Sequence, residues 1–210
     1  MDFEMPPVSF WLSTFGVVFA IVDPFGYIPI FISMTARDSE ERRQHMLLKA
    51  CVAAGIVLTI FTLIGNYILG FFGISIPALQ ITGGLVLLVI GFEMLKVLPV
   101  GEKLSPKEES EGAEKEDISI IPLAIPMLSG PASIATVVVL GAETGSAADY
   151  VVILFAIVMT LGITYLVLRR AAKILACVGV TGLNVVTRIM GLLLCAMAVQ
   201  FVINGYLAVR

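Results

Sequence analysis

One acidic residue, Asp23, lies about fifteen residues into a long apolar segment. Fourteen of the sixteen acidic residues fall in tails or connectors, and only Asp23 and Glu93 lie within apolar segments. Glu93 is three residues from Lys96 near a segment end, where it can pair or extend to the interface. A charge inside a membrane is costly and predicts a functional site. Asp23 is therefore the first candidate, and it is also the candidate for coupling to a proton or cation.

The residues that follow Asp23 are of types that interrupt a helix. Pro24 lacks an amide N–H and clashes with the preceding turn, and Pro29 repeats this effect. Gly26 permits unusual backbone angles. Asp23 could also N-cap a new half-helix that starts at Pro24, which is compatible with lining a site. We predict an unwound stretch near the middle of the membrane.

A second break is predicted around Ser129-Gly130-Pro131. Irregular backbone at that depth is tolerated only inside protein or beside a cavity, and two such breaks are typical of a transporter binding site. Half-helix N-termini suit a carboxylate, while Asp23 and carbonyl groups suit an ammonium group or a cation. The predicted substrate-binding residues are Val22, Asp23, Pro24, Phe25, Gly26, Leu128, Ser129, Gly130, Pro131, Ala132 and Ser133.

Other chemistry has little support in the sequence. There is no GxSxG, HExxH or Walker motif, and no second buried acid to pair with Asp23. Cys51, Cys177 and Cys195 form no CxxC pair and are expected to pack as small apolar residues. We predict no enzyme activity, no metal site and no cofactor.

The elements that must position these residues are membrane-spanning helices. Hydrophobic residues make up 59% of the 210 residues and charged residues 14%, with a mean hydropathy of +1.02. Soluble domains carry about 25% charged residues. The apolar runs approach the roughly 20 residues needed to cross a bilayer. They cover roughly residues 8–35, 46–71, 75–97, 118–141, 149–168 and 188–208. We expect the protein to interact with the lipid bilayer and not with nucleic acid.

Basic residues predict the orientation of the six segments. The connectors after segments one, three and five hold twelve of the thirteen Lys and Arg residues, and Arg210 is the exception. Cytoplasmic loops are enriched in Lys and Arg. We therefore expect the odd-numbered connectors to be cytoplasmic and both termini to lie outside a cytoplasmic (inner) membrane.

The two halves of the chain resemble each other weakly. Pro24 matches Pro131, residues 73–75 match 179–181, and residues 80–83 match 188–191, with offsets of 106 to 108. Two units of three helices each would be inverted relative to one another, as in many secondary transporters. The predicted fold is all-α with two inverted three-helix repeats, whose first helices (the first and fourth of the chain) are broken. The predicted domains are 1–98, an acidic cytoplasmic linker at 99–117, and 118–210.

Three stretches resemble the MarC family, also called UPF0056. They are residues 19–31 (FAIVDPFGYIPIF), residues 121–131 (IPLAIPMLSGP), and residues 187–193 (TRIMGLL) with the Val199-Gln200 pair that follows. The resemblance runs over nearly the whole chain. It implies a six-helix inner-membrane protein in a family that includes transporters of small neutral amino acids such as glycine and alanine.

The leading functional hypothesis is therefore a secondary transporter of small neutral amino acids. Its substrate would lie between the two helix breaks, and the two halves would alternate access to it. Coupling to a proton or to another cation stays open. The alternatives are an exporter of another small solute or a drug, and a membrane protein without transport activity.

Overall fold

The computed structural model describes residues 6–97, 119–144 and 146–209, which form helices and no strand. The predicted acidic linker at 99–117 and the first five residues lie outside this described part. Four helices are long and apolar enough to cross a membrane, and two apolar helices are shorter. The prediction of an all-α membrane protein is thus confirmed.

The first apolar segment is divided into two helices. α1 spans Val8–Val22 and α2 spans Ile28–Met34. The five residues between them are not helical. Pro29 lies in the first turn of α2, where its missing N–H leaves no hydrogen bond unmade. The predicted interruption of this segment is confirmed.

Two long helices follow, each with a hydroxyl cap at its start. α3 spans Glu40–Phe72 and α4 spans Ile76–Leu95. Ser39 and Ser75 accept a hydrogen bond from the backbone N–H three residues later, at 3.3 Å in each case. Gly73 ends α3 with a φ of 66°, a left-handed conformation that glycine adopts without steric cost.

The second half begins with an irregular segment, Ser119–Leu128, in which Ile121 and Ile125 have extended backbone angles. The segment winds in wide π-type turns that are interrupted before Pro122 and Pro126, two prolines that predict breaks in the fourth apolar segment in addition to the one at Ser129-Gly130-Pro131. The regular α-helix of this crossing, α5, spans Pro131–Ala142. α6 spans Ala147–Arg169. α7 spans Ala171–Val209, far longer than the predicted segment at 188–208, and changes direction at Gly179, where φ is 70°.

α4 and α7 pack closely through small residues. A Cβ added to Gly84 would lie 2.7 Å from the carbonyl oxygen of Ala198, and one on Gly205 would lie 2.8 Å from that of Pro77. Gly91 and Gly191 approach each other in the same way. Because residue numbers rise along α4 while they fall along α7, the two helices are antiparallel. Small residues that permit close backbone approach are typical of helix interfaces in membranes.

A single large apolar cluster holds the remaining helices together around the first break. It includes Val22, Tyr27 and Ile28 from the break region, with Leu58 of α3 and Ile157 of α6. Leu128, just before the second break, belongs to the same cluster, whereas Ile121 and Ile125 earlier in the irregular segment are exposed. The first break and the Leu128–Gly130 turn are thus buried, the condition under which irregular backbone is tolerated at membrane depth.

Candidate functional site

Asp23 is buried at the end of α1, with only 1% of its surface exposed. Its backbone is left-handed (φ 43°, ψ 69°), and its N–H donates to the carbonyl oxygen of Phe19 at 3.0 Å. Its carboxylate oxygen Oδ1 accepts a hydrogen bond from the N–H of Gly26 at 3.3 Å. Positive φ is uncommon outside glycine, and aspartate is among the residues that adopt it most readily.

The prediction that Asp23 could N-cap the half-helix after the break is wrong. Asp23 closes α1, and the helix after the break starts at Ile28, preceded by Tyr27. The strained angle also falls on Asp23 itself, whereas Gly26 has no positive φ. The side chain instead stabilises the turn between the helices, because its carboxylate holds the N–H three residues on.

The two breaks are joined by a hydrogen bond. The hydroxyl of Tyr27 donates to the carbonyl oxygen of Met127 at 2.8 Å, and both residues are buried. Met127 belongs to the irregular segment, where carbonyl groups lack regular helical partners. The bond therefore connects the first break to the second across 100 residues of sequence.

The second break has its own local bonds. Both the N–H and the hydroxyl of Ser129 donate to the carbonyl oxygen of Ala124, at 2.9 and 2.8 Å. Gly130 then turns the chain, and α5 begins at Pro131 without a side-chain cap. The uncapped start leaves the first N–H groups of α5 pointing out of the helix, which favours a negatively charged group there.

A narrow crevice lies between α1, α3 and α5. It is too narrow to hold a water molecule, and the space between its walls, open solvent included, is about 170 Å3. Ser133 and Thr136 contribute the hydroxyl groups of an otherwise apolar lining: Val18, Ile21, Val22, Leu58, Ser133, Thr136 and Val137. The Thr136 hydroxyl is buried and has no hydrogen-bond partner among the described residues. An unsatisfied buried hydroxyl costs free energy, so a polar ligand that bonds to it would recover that cost.

The predicted site residues differ in their burial. Phe25 and Gly26 are half-buried, and Pro131 is exposed. The buried ones are Val22, Asp23, Pro24, Leu128, Ser129, Gly130, Ala132 and Ser133. The structure brings Val22 and Ser133 together in the crevice, and Val22 and Leu128 in one apolar cluster.

Sequence reasoning missed three residues of this region. The sequence pattern identifies Tyr27 only as part of the motif at residues 19–31, and it does not predict Thr136 of α5 as a site residue. Thr14 is one turn before Val18 on α1, and its buried hydroxyl also lacks a partner. The available signal was the i, i+3 spacing of Ser133 and Thr136, which puts both hydroxyls on one face of α5.

Charged residues at one end of the molecule belong to two different connectors. Arg43 and Arg169 line an open cleft together with Glu40, whose carboxylate lies 3.9 Å from the Arg43 guanidinium. Phe31 of α2 also lines it, and its ring centroid is 5.6 Å from the Arg43 guanidinium carbon. The connectors after the first and fifth apolar segments therefore share one side of the protein. Within the described residues, no group of three or more His, Cys, Asp or Glu side chains could hold a metal ion.

The chain is similar to one family over nearly its full length. The family described as MarC family integral membrane protein matches residues 8–209. A UPF0056 membrane protein of Methanocaldococcus jannaschii is 38% identical over 94% of this chain and 96% of its own length. Another, YhcE of Escherichia coli, is 36% identical over 90% of this chain and 87% of its own length. No solved structure matches the chain significantly.

Proposed function

This chain belongs to the MarC family of integral membrane proteins, and we propose that it is a secondary transporter of small neutral amino acids such as glycine and alanine. The observation that carries this proposal is the buried hydrogen bond between Tyr27 and Met127, which ties two interrupted helices together inside the protein. Paired broken helices of this kind are the usual framework of a transporter binding site.

The surroundings of the two breaks suit a small zwitterion. The uncapped start of α5 offers backbone N–H groups, and Ser133 and Thr136 add hydroxyls that can donate to a carboxylate. Asp23 follows Val22 but does not line the crevice, and its carboxylate accepts a hydrogen bond from the Gly26 N–H. In our proposal it meets an ammonium group or a coupling cation when the helices separate. A substrate carboxylate and ammonium group would thus each have a partner of opposite character.

The crevice has no room for a substrate in this conformation. Not even a water molecule fits between its walls, so substrate entry requires the surrounding helices to separate. The drug-export alternative therefore differs from the amino acid proposal in how far the helices must separate, since drug-sized ligands occupy pockets of about 300–1,000 Å3.

Two features support an inverted repeat with six crossings. Gly73 and Gly179, which are 106 residues apart, both have a positive φ, 66° and 70°, at matching places before α4 and within α7, although their ψ angles differ, 24° and 170°. The matching helices α4 and the second part of α7 pack against each other in opposite directions. The irregular segment and α5 then count as one crossing, as α1 and α2 do. Alternating access would come from movement of one half against the other.

We further propose that the Arg43–Arg169 side faces the cytoplasm of a cell whose inner membrane holds the protein, so that both termini lie outside. The shared cleft supports this orientation, because basic residues from two odd-numbered connectors meet there. Substrate would thus be exchanged between the cytoplasm and the outside, without enzymatic conversion.

The direct test is counterflow of radiolabelled glycine or alanine into proteoliposomes that contain the purified protein. The expected result is a saturable flux that unlabelled substrate drives and that protein-free liposomes lack. Correctly folded protein without saturable flux, under imposed proton and sodium gradients, would contradict the proposal.

A further inference from the structure

A polar contact outside the crevice joins the two halves of the chain. The side-chain amide nitrogen of Gln80, on the second turn of α4, donates to a carboxylate oxygen of Glu143. Glu143 caps the end of α5, and 63 residues separate the two partners. Gln80 is 4% exposed whereas Glu143 is exposed, so this bond is partly buried and links α4 of the first half to α5 of the second.

The other end of the Gln80 amide is not satisfied. Its oxygen Oε1 is buried and has no hydrogen-bond partner in the part of the chain that the structure describes. An ionised carboxylate can only accept hydrogen bonds, whereas a neutral carboxylic acid also donates one through its O–H. A neutral Glu143 could therefore accept from the Gln80 nitrogen and donate to the Gln80 oxygen at once. The ionised form leaves the buried oxygen unpaired, which costs free energy.

Three further features disfavour a charge on Glu143. Burial raises its pKa from the ordinary 4.5, and the hydrogen bond from Gln80 lowers it by less. The carboxylate lies at the C-terminal end of α5, where the helix dipole is negative. The nearby start of α6 contributes another acid, Asp149, rather than a cation.

No described cation faces Glu143 from the helices packed around α5. α1 and α4 have no charged residue near this end, and the second half of α3 has only the exposed Tyr67 as a titratable group. On α6, Asp149 accepts from the Ser146 N–H, and Tyr150 donates to the Gly141 carbonyl oxygen at 3.0 Å. The described end of α7 adds only Tyr206.

We propose that Glu143 and Gln80 form a proton-binding site that holds α5 of the second half against α4 of the first when Glu143 is neutral and releases α5 when Glu143 ionises. The bound proton satisfies Gln80 Oε1, so its loss removes one hydrogen bond and places a charge beside the buried Gln80 amide. The end of α5 would then move away from the start of α4, and water would reach the Gln80 amide.

This site lies away from the basic cleft. Gln80 is near the start of α4, which follows the end of α3, whereas Arg43 is at the beginning of α3. Gly205, near the end of α7, covers Gln80, since a Cβ added there would lie 3.1 Å from the Gln80 Cβ. If the transport function proposed above holds, which this step rests on, proton loss at Glu143 would open the path on the side opposite the basic cleft.

The proton site can be tested without measuring transport. Infrared spectroscopy of the purified protein in lipid follows the carbonyl stretching band of protonated carboxyl groups as the pH rises. We expect one band that persists above pH 4.5 and that is missing in Glu143→Gln. Gln80→Leu should shift that band, because the acid loses its amide partner, and the exposed acid variant Glu41→Gln should leave it unchanged.

The movement of α5 away from α4 needs a second measurement. Spin labels at Ala78→Cys and Thr144→Cys in a cysteine-free background report the distance between α4 and the end of α5. We expect this distance to widen above the midpoint of the infrared band, and to be independent of pH when Glu143→Gln is added.

Two results would overturn the proposal: a Glu143→Gln spectrum that retains every titrating band, or a spin-label distance that does not change with pH. If Glu143→Gln does not fold, the band in the wild-type protein and its shift in Gln80→Leu decide the question. Absence of amino acid flux would leave these outcomes unaffected, so failure of the transport proposal and failure of this one are distinguishable.

Discussion

The Tyr27 hydroxyl and the Met127 carbonyl oxygen lie 2.8 Å apart and form a buried hydrogen bond between the two interrupted helices. Each residue lies in a stretch whose backbone lacks regular helical hydrogen bonds. The Tyr27 hydroxyl therefore supplies a donor to a carbonyl group that lies outside a regular helix. Its loss would leave the Met127 carbonyl group unsatisfied inside an apolar cluster. The two breaks are therefore coupled, and a substitution that alters one should also alter the structure of the other.

Tyr27→Phe should lower the stability of the protein by about 1–3 kcal/mol, the cost of an unpaired buried acceptor. The measurement is thermal unfolding of the purified protein in detergent. The control is Tyr67→Phe, since Tyr67 is 80% exposed and its loss of a hydroxyl should have no effect. Equal melting temperatures for the two variants would contradict the role assigned to the bond.

Thr136→Val should weaken substrate binding without destabilising the unliganded protein. Valine has nearly the same shape, and the hydroxyl that it removes has no partner in this structure. Loss of one hydrogen bond to the substrate corresponds to an affinity about 3- to 10-fold lower. Binding of glycine or alanine, followed by the ligand-induced rise in melting temperature, measures the effect.

Thr160→Val is the matched control for that experiment. Thr160 has a buried hydroxyl that also lacks a partner, but it is on α6 and is not among the residues that line the crevice. It should leave affinity unchanged. A similar loss of affinity in both variants would indicate a general effect of removing hydroxyls rather than a contact with substrate.

Asp23→Asn should reduce affinity about 10- to 100-fold if the carboxylate faces the ammonium group, because a hydrogen bond to a charged group contributes about 1.5–3 kcal/mol. Asparagine retains an oxygen for the Gly26 N–H and tolerates a left-handed backbone, so the turn should survive. A thermal-shift screen against amino acids, with and without the substitution, checks this. Retained ligand shifts in the variant would remove Asp23 from the site.

Gly91→Ala should destabilise the α4–α7 interface by about 1–3 kcal/mol through overpacking. The added Cβ would lie 2.5 Å from the sulfur of Cys195 and 3.1 Å from the Gly191 carbonyl oxygen. Gly162→Ala is the control, because nothing lies within 4 Å of a Cβ at that position. In thermal unfolding, Gly91→Ala should have a lower melting temperature than the wild-type protein, and Gly162→Ala should melt at or above the wild-type temperature.

The stability of the protein should fall as the pH rises above 4.5 through the raised pKa of Glu143. The folded state binds this proton more tightly than the unfolded state, so the stabilisation is complete below the ordinary pKa and is lost above the folded one. Melting temperatures of the wild-type protein and of Glu143→Gln, compared across this range, measure the contribution. An unchanged difference between the two proteins at every pH would argue against it.

The class of the protein and the places where its helices break could be predicted from the sequence. Mean hydropathy and run length are properties of the chain alone, and they suffice to indicate membrane helices. Proline at 24 and 131 also acts locally, because it has no N–H to donate wherever it stands. The family resemblance depends on the same kind of local pattern.

Local chemistry was less informative about the detailed geometry of each break. Asp23-Pro24 could have started a helix, but Asp23 closes α1 instead. Both outcomes satisfy the preferences of aspartate and proline, and the choice depends on what packs against the turn. The extended backbone at Ile121 and Ile125 does have a sequence signal, because each residue precedes a proline, Pro122 or Pro126, which disfavours helical angles before it.

The pairing of distant groups follows only from how the helices pack. The Tyr27 hydroxyl donates to the Met127 carbonyl oxygen, the Gln80 amide donates to Glu143, and the Thr136 hydroxyl has no partner among the described residues. A hydrogen bond requires a donor and an acceptor within about 3 Å, and helix packing sets that distance over 60 to 100 residues of intervening chain. Membership of the MarC family, the membrane class and the two helix breaks can be read from the chain alone. The contact between the breaks cannot, since burial leaves each polar group only the partners that the fold supplies.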